Sequence, residues 1–188
     1  DALGVALTRS MSVPLFTAIA TDTGWFRFGS VTAETYRTIA RLIDAGVVPC
    51  EVYGDLYERD SLGRVRLRGL VLSRTKAEID GTLMHTYVEK EDFEAMGAAP
   101  NDTEDAINLT LKVKGAQAAV IFVGQVRGGF KLSFRSQGEM DCNEVAQQFG
   151  GGGHKAAAGA FVEGTLDEVQ GRVLPVVREA MRVALGQC

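Results

Sequence analysis

The sequence predicts an α/β protein: a C-terminal domain with a mixed sheet flanked by helices, preceded by a helical segment and a linking helix. Three observations carry that prediction. Leu83–Val88 and Ala116–Val123 are short apolar runs of strand length, and Phe130–Ser136 alternates apolar and polar residues as their partner. Thr32–Gly46 places Tyr36, Ile39, Ala40, Leu42 and Ile43 on one stripe at helical spacing. Helical stretches at Lys90–Gly97, Thr103–Val113, Asp141–Phe149 and after Thr165 interleave with the strands, the pattern of an α/β fold.

Along the chain, Met11–Ala20 is nearly continuous in apolar residues, and periodicity alone allows a buried helix or a strand. Thr21-Asp22-Thr23-Gly24 follows at once, a carboxylate where a rigid element can present it to a cleft, or simply a turn former. Thr32 is an N-cap for the helix that Gly46 ends. Pro49 starts a further helical region. Residues 51–74 mix Leu56, Leu62, Val65 and Leu70 with many charges and read as a connector between two domains. Arg64, Arg66, Arg68 and Arg74 there suit a solvated face better than a nucleic-acid patch. Ile79-Asp80-Gly81-Thr82 reads as a turn before the first strand, in which His85 is a packed or surface residue. Asn101 with Glu104 fits a capping box for the helix that follows. Gln125–Gly129 turns between two strands. Lys131 and Arg135, four apart on a strand, project to the same face. Asp141 with Glu144 caps a short helix, Ala156–Val162 is a strand, and Thr165 with Glu168 caps the last helix. Pro175 should kink or divide that helix.

The chain has 188 residues, 46% hydrophobic and 23% charged, enough for one or two domains with cores. Its formal net charge is −4, so it lacks the basic excess of a long-duplex binder. Any nucleic-acid partner should be short and gripped by a few placed cations. No apolar run approaches the roughly 18 residues that span a bilayer, so no membrane partner is expected. Cys50, Cys142 and Cys188 lie far apart without metal spacing and suit a reducing, cytoplasmic setting. The opening DALGVALT reads as the middle of a domain.

The most distinctive stretch is Phe149–Gly159, FGGGGHKAAAG. Four consecutive glycines are costly in backbone freedom, roughly 0.5–1 kcal/mol each relative to alanine. One reading is a hinge, or a tight turn beside a close helix–strand contact. The other is a cradle in which the N–H groups of Gly151, Gly152 and Gly153 close on an anion, with His154 and Lys155 as side-chain donors. The preceding helix would arrive with its negative dipole end, so the anion must be held by the loop, Arg135, His154 and Lys155. The stretch has neither P-loop nor dinucleotide-fingerprint spacing.

GGGHKAAAG preceded by RSQGEMDCNEVAQQF resembles the signature of the DHH-associated nucleic-acid-binding domain, the C-terminal half of DHH-superfamily phosphoesterases, across roughly residues 83–163. Among the branches, the sequence is most similar to the nanoRNase/pAp phosphatase group, which trims very short oligonucleotides and dephosphorylates 3′-phosphoadenosine 5′-phosphate. The resemblance implies that residues 1–50 are the end of the DHH catalytic domain, 51–74 the linker and 75–188 the DHH-associated domain. It implies that ATDTGWFRF is the last metal motif, with Asp22 a ligand in a two-manganese site. It also implies that the pair Arg135 and Ser136 belongs to the substrate wall. The earlier D-x-D and Asp-His-His motifs are absent, so this stretch alone is expected to hydrolyse little. The implied partner is a short single-stranded oligonucleotide or nucleotide, and a homodimer is allowed. His154 is a candidate phosphate ligand and a candidate proton donor. A non-enzymatic nucleic-acid-binding module and a cyclic-dinucleotide phosphodiesterase remain the alternatives.

Overall fold

Leu83–Val88 (β2) and Ala118–Gly124 (β3) pair in parallel at the centre of a six-stranded mixed sheet. The computed structural model describes residues 5–187, and the chain divides into two compact units between Asp60 and Ser61.

The first unit is helical. Met11–Ala20 resolves as helix, within α1 (Arg9–Asp22). It is followed by α2 (Ala33–Asp44) and α3 (Pro49–Tyr57). The Thr32 hydroxyl accepts from Thr35 N and Pro49 opens α3, each doing what its type favours. Phe16, Ala20, Ile39, Leu42, Val47 and Val52 form the core. Phe16 meets the edge of Trp25 at 5.9 Å, and Trp25 meets Tyr53 at 5.0 Å.

The second unit begins with α4 (Leu62–Ser73), capped by Ser61. The stretch 51–74, read from its charges as a connector, is therefore shared: α3 lies in the first unit and α4 in the second. Leu67 and Val71 of α4 are fully buried against the sheet. The four arginines do not form the solvated face expected of them: only Arg66 is exposed, while Arg64, Arg68 and Arg74 are half-buried, Arg64 pairing with Asp105 and Arg74 with Asp92. The remaining elements are β1 (Lys76–Glu78), β2, α5 (Lys90–Met96), a 3-10 turn (Pro100–Thr103), α6 (Ala106–Thr110) and β3. Then come β4 (Phe130–Ser136), α7 (Cys142–Gln147), β5 (Gly152–His154), β6 (Ala157–Val162) and α8 (Leu166–Ala184). The strand order is β1-β2-β3-β4-β6-β5, and every pairing except β2 with β3 is antiparallel.

Alternation along the strands builds a core on each face. Leu83, Val120, Phe122, Leu132 and Phe134 pack with Val145 of α7 and Val173 and Val177 of α8. Met84, Val88, Ala119, Ile121 and Val123 pack with Leu67 and Val71 of α4 and Ile107 of α6. Two polar clamps tie the layers. Arg178 of α8 holds Glu78 through Nε and Nη2, the latter at 2.9 Å, and the buried His85 lies 3.0 Å from the same carboxylate. Burial pushes the His85 pKa down against the opposing charge of Glu78. Arg74 grips Asp92 with both terminal nitrogens while lying over the Tyr87 ring.

Two expectations change. The helix assigned to Thr103–Val113 is a 3-10 turn followed by the short α6, because Asp102 rather than Glu104 closes the turn. Its Oδ2 accepts from Ala99 N at 2.8 Å. α8 runs undivided through Pro175, held by buried Val173, Leu174 and Val177 on either side.

Candidate functional site

Register decides which predicted residues meet. Arg135 pairs with Ala157, and Ala157 pairs with His154, so these three form one row on one face. Ser133, Gly159 and Gly152 form the next row, and Lys131 with Phe161 the one after. Across β3, Arg135, Ser133 and Lys131 sit beside Ala119, Ile121 and Val123, which face α4 and α6. The face is therefore the α4–α6 side of the sheet, but those helices cover chiefly β2 and β3. Over β4, β6 and β5 the residues stay accessible: Lys131, His154 and Phe161 are exposed, and Ser133, Arg135, Ala157 and Gly159 half-buried. Small side chains make a flat floor there. Three groups able to contact an anion stand on it, with Arg135 and His154 roughly 10 Å apart across two strand spacings.

Ser136 is not among them. Next to Arg135 on a strand, it must point the opposite way; it is buried and its hydroxyl accepts from Gly138 N at 3.2 Å. Ser133, two residues before Arg135, occupies the face instead, and strict period-two counting would have found it. Lys155 lies off the strands, in the turn between β5 and β6. Its ammonium pairs with Glu139 at 2.9 Å, and that hydrogen bond raises its pKa.

The glycines do not form a cradle of free donors. Gly150 adopts φ 71° to turn the chain out of α7, and its N–H donates to Gln147 O. Gly151 N donates to Ala146 O at 2.9 Å, and Gly153 N to the Asn143 side chain at 2.9 Å. A Cβ on Gly151 would stand 2.1 Å from Gly159 O, and one on Gly153 2.5 Å from Ala157 O. These residues are bare so that β5 can lie hard against β6. That close approach carries His154 into the row with Arg135.

Asp22 ends α1 in the first unit and is exposed. The chain then turns through three successive left-handed residues, Gly24, Trp25 and Phe26, at φ 56°, 59° and 64°. Buried Thr23 holds the turn: its hydroxyl donates to Ile19 O at 2.6 Å and accepts from Phe26 N at 3.1 Å. Among the described residues no group of three or more His, Cys, Asp or Glu side chains is placed to hold a metal ion. Asp22 supplies one carboxylate, and the residues present do not fit a two-manganese centre.

Among the cavities of the second unit, two lie on opposite faces of the sheet. One of about 530 Å³ between α7 and α8 is rimmed by Glu139, Asp141, Glu144 and Glu179 and repels an anion. The other, about 470 Å³, opens on the face described above, between the 3-10 turn and β4, and Lys131, Ser133 and Arg135 line it. Cys142, the first residue of α7, is buried, and its thiol is pushed up to about 11 by that burial, which makes it a packing residue. No helix among the described residues is long and apolar enough to cross a membrane.

The DHHA1 domain model matches residues 80–182. The chain is 36% identical over 182 residues to the bifunctional oligoribonuclease and PAP phosphatase NrnA of Thermus thermophilus, covering 96% of this chain and 54% of that protein. It is 27% identical over 159 residues to the NrnA of Bacillus subtilis, covering 85% and 50%. A solved structure of an exopolyphosphatase-related protein from Bacteroides fragilis superposes with a TM-score of 0.81 at 29% identity, covering 94% of this chain and 51% of that one. The chain thus spans about half the length of the curated relatives it matches. A sheet of this order, with the DHHA1 match running from the turn before β2 to the end of α8, makes the chain a member of the DHHA1 domain family of the DHH superfamily.

Proposed function

We propose that this chain supplies the substrate-binding face of a metal-dependent phosphoesterase that acts on short oligonucleotides or on 3′-phosphoadenosine 5′-phosphate. One observation carries the reading: half of one sheet face is left uncovered, floored by small residues and furnished with Lys131, Arg135 and His154. Arg135 fits the terminal phosphate through its fork of donors. Lys131, two rows away on the same strand, meets the next phosphate as a point charge. His154 approaches from the far side of the floor and donates to a phosphate oxygen; it is also the side chain there able to return a proton to a leaving oxygen. The names of the Thermus and Bacillus relatives, both oligoribonuclease and PAP phosphatase, support the substrate class.

Hydrolysis of the ester is proposed to require manganese ligands beyond those in residues 5–187, with Asp22 as one member of that set. The 188 residues alone bind and do not turn over. A cytoplasmic location suits such substrates.

Binding of a 5′-phosphorylated dinucleotide to the chain, followed by fluorescence polarisation, tests the reading. Arg135→Ala should weaken binding at least tenfold, the scale of one charge-assisted bidentate contact. With both phosphates gripped, the slope of log affinity against log salt should be about −1.4 for a single strand. Unchanged affinity in Arg135→Ala, or a slope several times steeper, would show that the anion binds elsewhere.

A further inference from the structure

The uncovered face continues into the cavity of about 470 Å³, which the proposed phosphate contacts do not fill. Its floor is apolar: Ile107, Ile121 and Val123 are 1%, 1% and 5% exposed. Its outer edge is polar and comes from two loops, the turn after Pro100 and the β3–β4 connection. The volume falls within the range of small-molecule sites. An apolar floor with a polar edge suits a flat ring that stacks on one side and hydrogen-bonds at its rim.

The edge groups have a common sense. Three carboxylates sit close together in the turn, but two are spent: Asp102 accepts from Ala99 N, and Asp105 pairs with Arg64 at 3.3 Å. Glu104 is the one that lines the cavity, and an ionised carboxylate only accepts hydrogen bonds. Gln125 donates its amide nitrogen to Val123 O at 2.9 Å, which fixes the amide and leaves its oxygen as a second acceptor. Of the two cations that line the cavity, Lys131 lies beside Gln125 at one end of β4 and Arg135 stands four residues further along it, at the opposite end. The cavity therefore offers Arg135 to a phosphate at one end and, away from it, oxygen acceptors for N–H donors.

We infer that this cavity is a nucleobase pocket in which Glu104 selects a base with adjacent N–H donors, guanine best and uracil worst. Guanine offers an imino and an amino hydrogen side by side, matching both oxygens of a carboxylate. Uracil offers one N–H between two carbonyl oxygens, which the carboxylate repels. The inference rests on the proposed binding face, because it takes the phosphate to be held by Arg135.

The test is the affinity of the chain for three probes, guanosine 3′,5′-bisphosphate, uridine 3′,5′-bisphosphate and the base-less ribose bisphosphate, measured by titration calorimetry. Guanosine should bind about tenfold tighter than uridine, the scale of one bidentate base contact. Glu104→Gln should bring the two within about threefold, leaving the ribose bisphosphate unchanged. Arg135→Ala should weaken all three. Equal affinities for guanosine and uridine, or a Glu104→Gln ratio that does not move, overturn the base pocket while Arg135-dependent binding of all three keeps the face. If no probe binds, or Arg135→Ala changes none of them, the face itself is wrong and the pocket falls with it. Glu104 is an exposed turn residue, and a circular-dichroism melt of Glu104→Gln that matches the parent shows the loss is one of contact.

Discussion

Gly151→Ala separates two roles for the glycine run. If the glycines serve packing, a methyl at Gly151 is a steric fault. It would lie 2.1 Å from Gly159 O, 2.6 Å from Ala160 Cβ and 2.7 Å from Ala160 Cα. Two of these three atoms belong to the backbone of β6, which is paired on both sides and cannot step aside as a flexible side chain would. Relief needs a shift on the order of 1 Å, since carbon atoms rest about 3.5–4.0 Å apart. Overpacking of this kind costs about 1–3 kcal/mol. The entropic gain of replacing glycine, about 0.4–1 kcal/mol, offsets only part of it. A net loss of about 1.3 kcal/mol lowers the melting temperature of the second unit on the order of 5 °C. Gly152→Ala is the control: its methyl would meet nothing nearer than Asn143 Oδ1 at 3.7 Å, so stability should stay within about 0.5 kcal/mol. Urea unfolding followed by far-ultraviolet circular dichroism reads both. A Gly151→Ala protein as stable as its parent, yet unable to bind a phosphorylated dinucleotide, would refute packing and restore the donor cradle.

The His85–Glu78–Arg178 clamp makes the second unit sensitive to mild acid. His85 titrates in the fold below its ordinary 6.5, so between those values the unfolded chain binds a proton that the fold does not, and stability falls as pH drops below about 6.5. Glu78, lowered from its ordinary 4.5 by the hydrogen bond from Arg178, adds a second loss only below about 4.5. His85→Gln should flatten the first window and leave the second, read as urea midpoints across pH; an unaltered profile rejects the assignment. At the thiols, Cys142 is buried with its pKa at about 11, whereas Cys50 is exposed. In a Cys188→Ser background, mass spectrometry after brief iodoacetamide treatment at pH 7.5 should find Cys50 labelled and Cys142 spared until the protein unfolds. Equal labelling in the folded protein contradicts the packing role.

What the residues disclosed without coordinates followed local rules. β2 and β4 fall on the residues whose pattern announced them, because a strand buried on one or both faces has little freedom in which side chains it carries. Thr32, Asp141 and Thr165 each cap a helix, since the cap is settled within four residues. Long-range facts were not written in any window. Nothing local says that Gly151 faces a carbonyl of β6, so bare backbone read as an anion site rather than a close approach. Nothing local says whether charges flanking Leu67 and Val71 mark a linker or the outer surface of a core helix. Asp102 and Glu104 each stand three residues after a possible cap, Ala99 and Asn101, and the geometry uses the first. Ser136 was legible all along, because adjacent strand residues cannot share a face, but the family resemblance favoured the pair over the period.

A net charge of −4 does not decide where an anion binds. The carboxylates of the α7–α8 cavity and the cations of the open face belong to opposite layers of the second unit. A helix layer packs roughly 10 Å from a sheet, and at physiological salt the screening length is about 8 Å, so exposed charges across that thickness scarcely feel one another. The local field over β4 and β5 is what a phosphate meets, and it is set by Lys131, Arg135 and His154. Their small number has a kinetic consequence. On the proposed reading, a face that grips only two phosphates would hold a dinucleotide weakly enough to let products go, whereas a broad basic groove would keep them. The acidic balance of the chain is thus compatible with an anionic substrate, and it favours a short one.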